Sequence, residues 1–278
     1  MSIEFVAGRQ NQDGGWPYVR GASWTEPTVY AVLALLAAGN EEAAARGIAW
    51  LRANQRPDGG WPPRPGIDAS TWVTALAALA PPEKLGAEAH ARAVGWLVQT
   101  EGRESTFLYC LRQWLIGNPE PPERQTPGWP WLPGTAAWVA PTSLAILALQ
   151  KEARRNSSAA VRGRIEAGYR FLLSRACAEG GWNHGSARDL GYDSSAYPET
   201  TGMALAALRG VRHPRVEQGL AAARRFMETC RSADAQNWLT LGLRAHGQPA
   251  ASASQPVFRT VAEAALNVLV TRQGLADS

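Results

Sequence analysis

The stretch "QNQDGGWPYVRGASWTEPTVYAVLALL" (residues 10–36) decides the fold, because a near copy follows it. The copy, "NQRPDGGWPPRPGIDASTWVTALAAL", occupies residues 54–79. Each runs from a polar Asn/Gln segment into Asp-Gly-Gly-Trp and then into an Ala/Leu-rich helix. The turn returns in weaker form at Pro127-Gly128-Trp129 and at Glu179-Gly180-Gly181-Trp182. A threonine in the first turn of each following helix aligns as Thr28, Thr71, Thr142 and Thr201. Self-similarity of this kind is the signature of a repeat architecture.

Two further helices keep the rhythm without the turn, one starting near Thr106 and one around Asn237. All six are apolar nearly all round, as helices buried on both sides are. More polar, amphipathic helices are expected between them at 41–53, 87–99, 159–173, 216–229 and 257–270. Pro27, Pro141 and Pro198 fit first helical positions, and Gly39, Gly117 and Gly210 fit just beyond helix ends. The alternation predicts an all-α chain: one α/α toroid domain over 1–278, with six inner helices and about five outer ones. The tryptophan after each Gly-Gly pair is expected to plug the joint between an outer helix and the next inner one.

Composition narrows the function classes. The chain has 278 residues, 45% of them hydrophobic and 19% charged, with a formal charge of +4. The arginines are scattered and no basic run of the nucleic-acid type appears, so a nucleic-acid partner is not expected. Cys110, Cys177 and Cys230 stand alone, without spacing for zinc or any other metal. The first ten residues lack a basic segment leading into an apolar one, and the apolar run 29–38 is too short to cross a bilayer. The expectation is a soluble, cytoplasmic protein with no membrane span and no cofactor.

The Gln-Asn-Gln-Asp-Gly-Gly-Trp segment (10–16) and the Asp-Gly-Gly-Trp segment (58–61) resemble the QW-type repeats of the squalene cyclase and protein prenyltransferase β-subunit superfamily. Bacterial prenyltransferase/squalene oxidase repeat proteins begin their helices in a similar way. The resemblance implies a class II terpene cyclase-like ring around an isoprenoid or similar apolar ligand. Class II cyclases place their acid in an Asp-rich start of an inner helix. Aligning the threonine of that motif with Thr201 puts the acid on Glu199, and aligning it with Thr28 puts it on Glu26. The partner aspartates of the motif fall on Tyr197 and Thr200, or on Trp24 and Pro27. The zinc ligands of prenyltransferases have no counterpart, so a cyclase is the better enzyme reading.

The residues suggest the rest of a site. The insert between Trp182 and Glu199 brings His184, Tyr192, Asp193 and Tyr197 to one mouth of the ring. Trp24, Trp72, Trp131, Trp138 and Trp238 lie near inner-helix starts, where aromatic faces can line a cavity and stabilise a cation. Two other readings stand beside the cyclase. One is a non-catalytic ring that binds a ligand, a protein partner or a second copy. The other is a glycosidase-like toroid using carboxylates such as Asp68 and Glu199 with tryptophan platforms.

Overall fold

The computed structural model describes residues 2–116, 127–156, 158–185, 188–189, 192–250 and 257–272. The helices begin with α1 (Ser2–Ala7), α2 (Thr25–Ala37), α3 (Glu41–Ala53) and α4 (Val73–Ala77). They continue with α5 (Pro82–Leu85), α6 (Ala87–Gln99), a 3₁₀ turn at Arg103–Ser105 and α7 (Phe107–Leu115). The second half holds α8 (Val139–Arg155), α9 (Ala159–Ser174), α10 (Pro198–Ala207), α11 (Pro214–Thr229), α12 (Ala233–Ala245) and α13 (Val261–Arg272). Strand is limited among the described residues to β1 (Arg188–Asp189), paired antiparallel with β2 (Tyr192–Asp193). The architecture is an α/α toroid. An inner circuit runs α2, α4, α8, α10, α12 and α13, and α13 packs back on α2 to close it. Outside it, α3 backs α2, α6 backs α4 and α8, α9 backs α8, α11 backs α10 and α12, and α1 backs α13.

Each Gly-Gly-Trp joint is a two-sided clasp. The indole Nε1–H of Trp16, Trp61, Trp129 and Trp182 donates to a carbonyl in the last turn of the preceding outer helix. The acceptors are Val6, Leu51, Leu97 and Leu172, at 2.7, 2.8, 2.8 and 2.6 Å. The backbone N–H of the same tryptophan donates to a threonine hydroxyl on the next inner helix, Thr28, Thr74, Thr142 or Thr201. All four rings are essentially fully buried, so both polar groups of each joint need these partners. The glycines are required by space: a Cβ on Gly14, Gly59 or Gly180 would lie 2.6–2.7 Å from a carbonyl oxygen of the following outer helix, and all three have φ near +90°. Only glycine tolerates both demands.

A second set of hydrogen bonds links neighbouring repeats around the ring. The carbonyl two residues beyond each clasp tryptophan accepts from the first residue, or the residue just before it, of an adjacent inner helix. Pro63 holds Thr25, Trp131 holds Trp72, and His184 holds Val139, at 2.9, 3.1 and 2.8 Å. Tyr18 holds Val261 at 2.8 Å, tying the first loop to the last helix.

Four expectations are corrected. The helix read as outer at 257–270 is α13, an inner one, with Val261, Ala264, Ala265, Leu266 and Leu269 buried. Its polar residues misled the pattern: Asn267 donates to Asn237 of α12 instead of facing water. The helix near Thr106, read as inner, is α7, which packs mainly against the 3₁₀ turn and leaves Phe107, Leu108, Trp114 and Leu115 exposed. The clasp threonine of the second repeat is Thr74 instead of Thr71, whose buried hydroxyl has no hydrogen-bond partner. Pro27 and Pro141 sit third in their helices, still within the first turn where N–H groups lack intrahelical acceptors.

Thr74→Val should therefore lower stability by about 1–3 kcal/mol in denaturant unfolding, by orphaning the buried Trp61 N–H. Thr71→Val should stay within about 0.5 kcal/mol of the parent. The opposite ranking would return Thr71 to the clasp.

Candidate functional site

The loops that clasp the inner helices gather the starts of those helices at one mouth of the ring. Glu26, Glu199 and Asp234 each stand second in an inner helix (α2, α10 and α12), and Glu263 stands third in α13. Tyr18 Oη donates to Glu26 Oε2. Burial pushes the Glu26 carboxyl up, against the pull of that hydrogen bond. The Asp234 carboxyl is raised from 3.8 to about 7, first by burial and then by the charges of Glu199, Glu26 and Glu263. Tyr30, buried below them on α2, is raised by burial and by Glu26 and Asp234. A helix start favours a carboxylate by up to about 1 kcal/mol, whereas desolvation with like charges acts the other way and is larger here. Asp234 is thus a carboxyl that holds a proton near neutral pH, and the sequence reading missed it. The signal was the second-position acid in α12, the same offset as Glu26 and Glu199, without a Gly-Gly-Trp turn to mark it.

The other arc of the mouth is aromatic. Trp24 packs on Tyr18 with ring centroids 5.6 Å apart, and the Arg64 guanidinium lies 5.4 Å from the Trp24 ring. Trp72 meets Trp131 edge-on at 4.9 Å and 87°. His184 lies against Tyr197 at 5.1 Å. A cavity of about 550 Å³ opens beside this last pair, with Trp138, Asn183, Glu104 and Arg175 also in its wall. The ring order places Trp24, the Trp72–Trp131 pair, Trp138 and Tyr197 along α2, α4, α8 and α10. The carboxyls follow along α10, α12, α13 and α2.

The structure does not gather every expected residue. Asp68 is 95% exposed and pairs with Arg56 at 2.7 Å, away from the carboxyl cluster. Trp238 is 1% exposed and lies in the close packing of α12 on Gly202 of α10, so it fills the ring wall instead of facing the mouth. Tyr192 and Asp193 belong to β2, but their side chains lie outside the described residues. Among the described residues, no group of three or more His, Cys, Asp or Glu is arranged to hold a metal. No helix among them is long and apolar enough to cross a membrane.

The raised Asp234 has a consequence for stability. Between the ordinary aspartate value of about 4 and the folded value of about 7, the folded chain keeps a proton that the unfolded chain releases. Stability is therefore lost from this group as pH rises through that window, and the loss is complete above it. Asp234→Asn should abolish the fall, making the variant's stability relative to the parent greater at alkaline than at acid pH by on the order of 4 kcal/mol. A pH-independent difference in chemical denaturation would contradict the assignment.

Comparison with known proteins supports the architecture. Residues 1–66 match the family model described as the squalene-hopene cyclase C-terminal domain. No curated protein matches the chain. A variant of type II terpene cyclase MstE from Scytonema, in complex with geranylgeranyl dihydroxybenzoate, is 18% identical. The match covers 97% of this chain and 75% of that one at a TM-score of 0.59. Endoglucanase Cel10 from Klebsiella pneumoniae, a family 8 glycosyl hydrolase, is 14% identical over 97% of each chain, with a TM-score of 0.62. An α-amylase from Clostridium perfringens is 9% identical over 98% of this chain and 96% of that one, with a TM-score of 0.63. The chain has the α/α toroid fold of these enzymes, and the repeats with the family-model match support its resemblance to the terpenoid cyclase superfamily.

Proposed function

We propose that this mouth binds an isoprenoid or similar apolar substrate and starts its cyclisation by protonation, with Asp234 as the acid. The observation that carries the reading is the raised Asp234 carboxyl on the carboxyl arc of a mouth whose other arc is aromatic. Burial and the three surrounding carboxylates supply the proton occupancy that an Asp-rich motif supplies in class II cyclases. Glu26, held by Tyr18, and Glu199 are the negative neighbours that keep the proton on Asp234. A carboxyl at about 7 is substantially loaded at neutral pH yet weakly acidic, so an epoxide oxygen suits it better than an alkene carbon. The faces of Trp24, Trp72 and Trp131 would then stabilise the developing cation. The terpene cyclase match, whose structure holds a geranylgeranyl compound, agrees with this ligand class.

A glycosidase-like reading has one observation in its favour: the glucanase match spans both chains nearly end to end. There a raised carboxyl protonates a glycosidic oxygen and a second carboxylate activates water. The Gly-Gly-Trp repeats and the family-model match favour the cyclase.

Incubation with polyene epoxides, read by mass spectrometry, should give cyclised product. Asp234→Asn should lower its rate by roughly 10²-fold or more, the usual contribution of a positioned acid, while the protein stays folded. Full activity in that variant, or no conversion of any polyene, would overturn the proposal. Asp234-dependent cleavage of a β-1,4-glucan would select the glycosidase instead.

A further inference from the structure

The cavity beside Trp138 holds an acceptor that the clasp leaves unused. In the first repeat, both oxygens of Asp13 are occupied. Oδ1 accepts from Gly15 N and Ser23 Oγ, and Oδ2 accepts from the Trp50 indole. Glu104, reaching in from the 3₁₀ turn, does the corresponding work for the third repeat, where its Oε1 accepts from Ala137 N at 2.9 Å. Its Oε2 is buried with no hydrogen-bond partner. A buried carboxylate oxygen without a donor is costly, and Glu104 lies in the wall of the 550 Å³ cavity.

The rest of the wall limits what can supply the missing donor. Arg175 stands in the same wall, which disfavours a cation, and Glu104 disfavours an anion. Trp138 is 38% exposed and Tyr197 47% exposed, so two large aromatic surfaces remain open beside these charges. An acceptor beside open aromatic faces suits a flat or chair-shaped neutral ring with hydroxyls on its edge. We propose that this cavity is a subsite for a neutral ring bearing vicinal hydroxyls. One hydroxyl donates to Glu104 Oε2 while the face of the ring lies against Trp138. A glycosyl ring and a dihydroxyarene share this chemistry. The site is independent of proton donation by Asp234, because it is tested by binding without turnover.

Isothermal titration calorimetry with methyl β-glucoside and with catechol tests it, using 1,2-dimethoxybenzene as the ring without donors. At least one of the two diols should bind the full chain, more tightly than the dimethoxy compound, and which one binds identifies the source of the ring. Glu104→Gln keeps an acceptor for Ala137 N but removes the carboxylate. It should weaken diol binding by about tenfold or more with the melting temperature nearly unchanged. Trp138→Ala should weaken it comparably. Three results would each overturn the proposal: neither diol binds, the dimethoxy ring binds as tightly as catechol, or both variants bind as the parent does.

Discussion

One indole per repeat, hydrogen-bonded outward to a helix carbonyl and backed by a threonine from within, holds this ring together. The interaction fixes three things at once. It sets the distance between an outer helix and the next inner one, since Trp16, Trp61, Trp129 and Trp182 fill that gap with no exposure to speak of. It fixes the axial position of each inner helix, because the threonine must meet the tryptophan N–H. It also aims the following loop carbonyl at the neighbouring inner helix, and so turns a row of joints into a closed circuit through Tyr18 and Val261. Large-to-small changes at such rings cost about 3–5 kcal/mol elsewhere, a large part of the net stability of any domain.

The circuit has a chemical result. Registering the inner helices by their first turns brings second-position acids from separate helices to one end of the ring. Each acid is comfortable on its own helix, where the dipole favours the charged form. Together and half-buried they are not, and burial with the neighbouring charges of Glu199, Glu26 and Glu263 raises the Asp234 carboxyl to about 7. The aromatic arc opposite follows from the same geometry, since the residues that begin α2, α4, α8 and α10 are Trp24, Trp72, Trp138 and Tyr197.

The toroid was legible because its determinants are local. Asp-Gly-Gly-Trp needs positive φ, close backbone approach and a rigid plug within a few residues, and those demands leave a readable pattern. The places where the reading failed depend on tertiary partners. α13 looks amphipathic until Asn267 finds Asn237 and Glu263 finds the carboxyl cluster. α7 looks like an inner helix because its composition is apolar, yet its apolar residues face outward. Thr71 and Thr74 differ by less than one helical turn, and only the indole geometry chooses between them. At the mouth, Glu26, Glu199, Trp24, Trp72, Trp131, Trp138, His184 and Tyr197 were visible as helix-start or loop residues. Asp234 was not, because its distinction is the company that three other helices provide. Asp68, read as one carboxylate of a glycosidase-like pair, is exposed and paired with Arg56, a partner the sequence pattern did not reveal.

The most direct measurement is a ¹³C NMR titration of the Asp234 side-chain carboxyl in the intact protein, assigned by its loss in Asp234→Asn. The account predicts a midpoint near 7, shifted downward when Glu26 or Glu199 is replaced by glutamine, since each removes a like charge. A midpoint in the ordinary aspartate range, about 4, or one indifferent to both neighbours, would contradict it.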